Sequence, residues 1–180
     1  DYGMILDEKE KILRETAKEV IFPLTKEDKK LIQNSIDQLT YSQIEEYEKK
    51  YDLRPGMGLA FPQLGLSKRI IIIVHEYEDG KFDNYVVINP KIVSNSEEII
   101  AAEAGEGCLS VNRDVEGHVP RFARVTVEGY DENGNKIRIR AREELSIAFQ
   151  HEIDHLNGIL FFDRINKKKP FYSENEIRLI

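Results

Sequence analysis

The sequence predicts an α+β fold in which mostly antiparallel sheets surround a central helix carrying an H-E-x-x-H pattern. Three observations predict it. Residues 124–130 and 136–140 alternate apolar and polar side chains, the period of half-buried strands, and Asp131, Glu132, Asn133 and Gly134 supply a turn between them. Residues 142–157 repeat apolar side chains at helical spacing instead. No strand–helix–strand rhythm runs through the chain, which argues against a parallel sheet.

The first element is a helix after Pro23, where Thr25 and Asp28 have the spacing of an N-cap with an acidic partner. Leu31, Ile32, Ile36, Leu39, Ile44 and Tyr47 then recur at roughly helical spacing. The heavily charged residues 41–51 read as an exposed extension of that helix, ended by residues 52–55. After a glycine-rich turn at Gly56-Met57-Gly58, residues 69–74 read as a buried strand and residues 85–89 as another, stopped at Pro90. In the second long helix Leu145, Phe149, Ile153 and Leu156 form one apolar stripe, and Glu144, Ile147, Ala148, His151 and His155 form a second. Asn157-Gly158 is its stop, because glycine tolerates the left-handed conformation. A last short helix is expected from Ser173, with Glu176 completing a capping box.

A chain of 180 residues, 41% hydrophobic and 33% charged, has the composition of a globular protein with one well-buried core, expected as a single unit over residues 1–180. The net charge of −7 argues against a nucleic-acid binder, which would need a basic stripe; Lys167, Lys168 and Lys169 are too short a run to supply one. No apolar run approaches the roughly 20 residues of a membrane span. One cysteine excludes an internal disulfide framework and makes a reducing compartment the default. The chain opens at Asp1-Tyr2 without Met, so a preceding segment is read as removed, and the absence of a targeting peptide says nothing.

The chemistry is concentrated on the second helix. Residues four apart lie one above the other on a helix face, so His151 and His155 can converge on one ion. Glu152 follows the first histidine, where its carboxylate can reach a water beside the ion without ligating it. The bland alternative is a pair of unrelated histidines. A catalytic site of this kind needs a third protein ligand and one open position. A carboxylate, His75, His118 and Cys108 are the candidates, and each histidine is more readily a surface residue. A lone cysteine is often only a small core hydrophobe, but Gly105 and Gly107 let the backbone beside Cys108 approach a ligand closely, which favours it.

Residues 56–63 carry a G-x-G pair that is no dinucleotide fingerprint, since it lacks a third glycine and Pro62 blocks a regular helix. It exposes backbone donors and acceptors to an extended ligand, and the Gln63 amide can donate to a developing oxyanion.

Together the three segments resemble the peptide deformylase family, whose motifs look like G-h-G-h-A-A-x-Q, E-G-C-h-S and H-E-h-D-H, with h apolar. Here they stand at residues 56–63, 106–110 and 151–155, in the family's order, and similarity continues through Val119-Pro120-Arg121 and residues 160–164. The resemblance implies a metal-dependent hydrolase of protein biosynthesis that removes the formyl group from the N-terminal formyl-methionine of nascent polypeptides. Cys108, His151 and His155 would bind one divalent metal, iron(II) in the cell, with zinc, cobalt or nickel possible in purified protein. Metal-bound hydroxide would attack the formyl carbon, with Glu152 as general base and then acid, and the Leu109 N–H and Gln63 side chain would form the oxyanion hole. The backbone at Met57, Gly58 and Gly107 would pair with the peptide as an added strand, Glu106 counting among these contacts. Arg121 would lie near the peptide, and Ile147 and Ala148 would line the methionine pocket.

Three departures carry expectations of their own. Phe61 replaces a small residue and is expected to displace the chain near Gln63; Glu144 stands where an apolar pocket wall belongs. The segment 41–51 exceeds the family's usual helix and suggests an organelle with its own translation, plastid-like or mitochondrial, with the bacterial cytoplasm as alternative. The partners implied are N-formylmethionyl peptides at the ribosome exit, with no stable nucleic-acid binding and no membrane. The rival readings are a cysteine hydrolase with Cys108 as nucleophile, an inactive binding module and a general zinc protease.

Overall fold

A run of four isoleucines, Ile70 to Ile73, is fully buried, which requires apolar cover on both faces of the strand that carries it. The computed structural model describes residues 4–180; Asp1, Tyr2 and Gly3, with the chain start read above, lie outside the described residues. A five-stranded antiparallel sheet holds β1 (Gly58–Ala60), β2 (Ile70–Glu78), β3 (Lys81–Asn95), β6 (Arg124–Tyr130) and β7 (Lys136–Arg142) in the order β1-β2-β3-β6-β7. A second sheet orders β5 (Arg121–Phe122), β4 (Ile99–Ala101) and β8 (Arg178–Leu179), with β4 and β8 parallel.

The alternation of β2 divides the core. Ile71 and Ile73 pack with Phe149, Ile153 and Leu156 of α3 (Glu143–Leu156). Ile70, Ile72 and Val74 face the other way, onto Ile32 and Leu39 of α1 (Lys26–Ser42) and onto Phe61. The sheet is therefore held between two helices, and the sequence stripe Leu145, Phe149, Ile153, Leu156 is the face that α3 buries. Thr25 caps α1 as expected, accepting from the Asp28 N–H at 3.0 Å.

Four expectations need correction. Residues 41–51 do not extend α1: the helix stops at Ser42, and α2 (Glu45–Tyr51) is a separate element. The Gln43 side chain pins the break, donating to the carbonyls of Gly56 (3.1 Å) and Val74 (2.9 Å). Pro90 does not stop β3, which runs on to Asn95, because the register shifts between Ile88 and Lys91 and Pro90 falls in that bulge. Asn89 takes φ +53° there, and its side chain exchanges two hydrogen bonds with the Val20 backbone. The Ser173–Glu176 bonds form without a helix, because the chain turns away to pair β8 with β4. His118 is buried, its ring bonded to the Glu103 carbonyl and the Tyr172 N–H.

Gly158 closes α3 at φ +73°, and a Cβ there would lie 2.6 Å from the Arg14 carbonyl oxygen. Both the backbone conformation and the contact penalise any side chain. Gly158→Ala is expected to cost about 2 kcal/mol or more and to lower Tm by roughly 4–8 °C in a thermal melt.

Candidate metal centre

Helix α3 brings His151 and His155 to one face, with ring centroids 5.3 Å apart. The loop between β4 and β5 delivers Cys108 to them. One ligand atom from each of Cys108, His151 and His155 lies within 4.8 Å of the other two. Cys108 Sγ is 3.3 Å from His155 Nε2. Metal–sulfur and metal–nitrogen bonds of the usual length, at a tetrahedral angle, separate the two ligands by roughly 3.5 Å, so the donor set fits one ion. The His151 ring fixes its own orientation by placing Nδ1 2.9 Å from Glu106 Oε1, which leaves Nε2 for the cluster.

The electrostatics favour positive charge at His151 and oppose it at His155. Burial would raise the Glu106 carboxyl, but hydrogen bonds from Arg121 and His151 overcome it and hold the group at about 2. Burial pushes His151 down, yet its bonds to Cys108 and Glu106 outweigh that and raise it well above its ordinary value. Burial and then the His151 charge push His155 well below its own. Burial raises Glu152 to about 7, into the range of a proton carrier near neutrality. Glu152 Oε1 is buried without a hydrogen-bond partner among the described residues, a polar atom left for a ligand.

Gln63 is aimed at the cluster. Its Oε1 accepts from the Ala60 N–H at 2.9 Å, while Nε2 donates to Ser110 Oγ at 3.0 Å and lies 3.6 Å from Cys108 Sγ. Phe61 leaves Gln63 within reach of the cluster. Phe61 is fully buried on the far side, against Ile70 and Ile72, in a 3-10 turn (Phe61–Leu64) that Pro62 starts.

A cavity of about 450 Å³ opens onto the cluster, lined among others by Met57, Leu109, Ile147, Ala148 and Glu152. Glu144 sits on its lining with a 66% accessible side chain, 3.9 Å from His75, so it rims the cavity and does not wall it. Strand β1 is the sheet edge beside this cavity. The Val74 N–H bonds the Met57 carbonyl at 2.7 Å, so in an antiparallel ladder the Gly58 N–H and carbonyl point to the free edge. The Met57 carbonyl accepts from within the sheet, so Gly58 is the residue of this pair whose backbone faces the open edge. A Cβ on Gly58 would meet Glu152 Oε2 at 2.5 Å, whereas one on Gly107 would meet nothing within 4 Å.

Arg121 is the clearest correction. Its side chain is 2% accessible and lies behind the cluster, donating Nε and a terminal nitrogen to Glu106 (2.9 Å each) and the other to Asp154 (2.7 Å). The Glu106 carboxylate is likewise committed to Arg121 and His151 and is not offered to a peptide. Asp154 and Arg164, which bond at 2.7 and 2.8 Å, complete this network, and Ser110 steadies Gln63; sequence reasoning missed all three. Asp154 had a signal, since it stands three residues after His151 on the same helix face.

The chain matches the family model for polypeptide deformylase over residues 3–171. It is 45% identical over 167 residues to peptide deformylase 2 of Bacillus anthracis, covering 93% of this chain and 91% of that protein. It is 50% identical over 159 residues to a peptide deformylase of Oceanobacillus iheyensis, covering 88% and 87%. Among solved structures it resembles a plant peptide deformylase, with TM-score 0.75, 30% identity and coverage of 91% and 80%. The peptide deformylase of Thermus thermophilus gives TM-score 0.71 and 34% identity over 92% and 86%. These curated relatives are bacterial, so the organellar expectation drawn from residues 41–51 finds no support. The helix, the cysteine loop and the glycine strand are those of an enzyme family, and the chain belongs to it: it is a member of the polypeptide deformylases.

Proposed function

We propose that the chain, acting as one domain, removes the formyl group from N-formylmethionyl ends of nascent polypeptides, at the ribosome exit of a bacterial cytoplasm. The observation that carries the reading is the buried Cys108–His151–His155 set facing a cavity beside Glu152. Those three residues would hold one divalent ion, iron(II) in the cell, and the same donors accept zinc, cobalt or nickel. When bound, such an ion would act as a Lewis acid and bring the pKa of a water down toward neutrality.

The protein's own groups do the rest. Glu152 takes a proton at its carboxylate from the water that attacks the formyl carbon, and delivers it to the amine that leaves as the C–N bond breaks. Gln63 Nε2 and the Leu109 N–H donate to the oxygen on which charge builds, a donor of this kind lowering the barrier by about 3–4 kcal/mol. The Gly58 edge of β1 and the backbone at Gly107 bind the peptide as an extended strand. Ile147 and Ala148 enclose the methionine side chain. Glu106 and Arg121 act through His151, holding its ring for the ion.

Turnover of formyl-Met-Ala-Ser by iron- or nickel-loaded protein tests the reading. Hydrolysis that stops with a chelator and returns with metal is expected, with casein left uncut; activity that survives chelation would mean Cys108 is a nucleophile instead. Glu152→Ala is expected to keep its metal and lose roughly 10²–10⁴-fold in rate, measured by metal analysis beside kinetics. Gly58→Ala should lower kcat at least tenfold with Tm little changed, because its methyl group displaces the Glu152 carboxylate; full activity would show that Glu152 tolerates the shift. Glu106→Gln should weaken metal retention by about 10–100-fold in competition with a chelator.

A further inference from the structure

The edge strand β7 carries Lys136, Arg138, Arg140 and Arg142 at alternate positions, all exposed, while Ile137, Ile139 and Ala141 between them pack on the core. The six rises from Lys136 to Arg142 span about 20 Å, so four cations of one sign line a straight edge of that length. Among the described residues no carboxylate lies within 4.0 Å of Lys136, Arg140 or Arg142; Arg138 meets Glu128 at 3.2 Å. Arg142 stands directly opposite Arg124 of β6, a like-charge pair that costs the sheet stability. Arg124, itself bonded to Glu98, joins Arg140 and Arg142 around a cavity of about 470 Å³, whose remaining lining of Ser94, Asn95, Ser96, Val125, Thr126 and Ala141 includes no acid.

One charge is enough to blunt a sheet edge against pairing. Four, with an arginine set against an arginine, are better matched to a ligand. A single phosphate would engage one end of a 20 Å line, whereas a phosphodiester chain engages all of it. Arginine supplies three of the four, and its planar fork pairs phosphate oxygens two at a time. We propose that β7 and this cavity form a docking surface for the backbone of double-helical RNA, its phosphates on the arginines and its 2′-hydroxyls, which DNA lacks, beside the Ser94, Asn95, Ser96 and Thr126 lining. The net charge of −7 argues against a chain that is basic throughout, not against a local stripe. This inference is independent of the deformylase reading.

Fluorescence anisotropy of the metal-loaded protein with a labelled RNA duplex of about 16 base pairs tests it. Saturable binding is expected that weakens steeply from about 50 to 200 mM salt, the range over which counterion release is felt. R140Q/R142Q and K136Q/R138Q should each lose roughly tenfold in affinity and reduce the salt slope by about two, with thermal melts confirming that each is folded. The absence of wild-type binding would overturn the proposal, as would binding that both variants retain. Displacement by millimolar inorganic phosphate or ATP would show a small-anion site, and binding to phosphatidylserine vesicles in place of RNA a membrane surface; either result overturns it too.

Discussion

Arg121 reaches Glu106 with two nitrogens and Asp154 with the third, and in doing so ties the loop that carries Cys108 to the helix that carries both histidines. The three metal-ligand candidates come from segments more than forty residues apart in sequence, 108 against 151 and 155. Hydrophobic packing alone would fix their spacing only loosely. A guanidinium buried between two carboxylates fixes it by geometry, since each displaced bond leaves a charge without water. Arg164 adds a second cation on Asp154, so the helix carboxylate is shared between two arginines. Glu106 then passes the constraint to the His151 ring.

This arrangement rests on a sheet whose central feature is strand β2. Ile71 and Ile73 face α3 while Ile70, Ile72 and Val74 face α1, in a register paired to β3 from Ile70 opposite Ile88 to Val74 opposite Asn84. The same register sets β1, whose Gly58 lies opposite Ile73. Phe61 belongs to this scaffold. Its burial against Ile70 and Ile72 anchors the turn from which Gln63 points back toward Cys108, so a large residue there supports the site's geometry.

Much of this was legible in the sequence because the governing periods are local. The β6–β7 alternation, the Thr25 cap, the α3 stripes and the His151–Glu152–His155 spacing all follow from two or four residues of context, and each is found. Cys108 was harder, since nothing local distinguishes a ligand thiol from a core one; motif order distinguished it. What escaped depends on partners distant in sequence. Pro90 reads as a strand stop until Val20 is known to hold the Asn89 bulge. Ser173 and Glu176 make a capping box whose helix is pre-empted by β4. Arg121, placed near the peptide by resemblance, has its guanidinium enclosed by two carboxylates that lie 15 and 33 residues away in sequence. The basic stripe escaped for a different reason. Apolar residues separate its charges along the chain, and only the pleat gathers them on one side.

Gly58 shows how closely the scaffold and the chemistry are joined. On one side its backbone belongs to a ladder whose register is set by β2; on the other, the free edge is open beside the cavity. Where its side chain would stand, the Glu152 carboxylate approaches to 2.5 Å of the empty Cβ position. Glu152 is buried with one oxygen unpartnered among the described residues, an arrangement that costs stability unless that oxygen serves a ligand. A larger residue at position 58 would relieve the fold of that burial by pushing the carboxylate aside, and would remove it from the cavity at the same time. Glycine is therefore required there by the placement of a carboxylate from another element, rather than by its own backbone angles, since Gly58 is not among the positive-φ glycines.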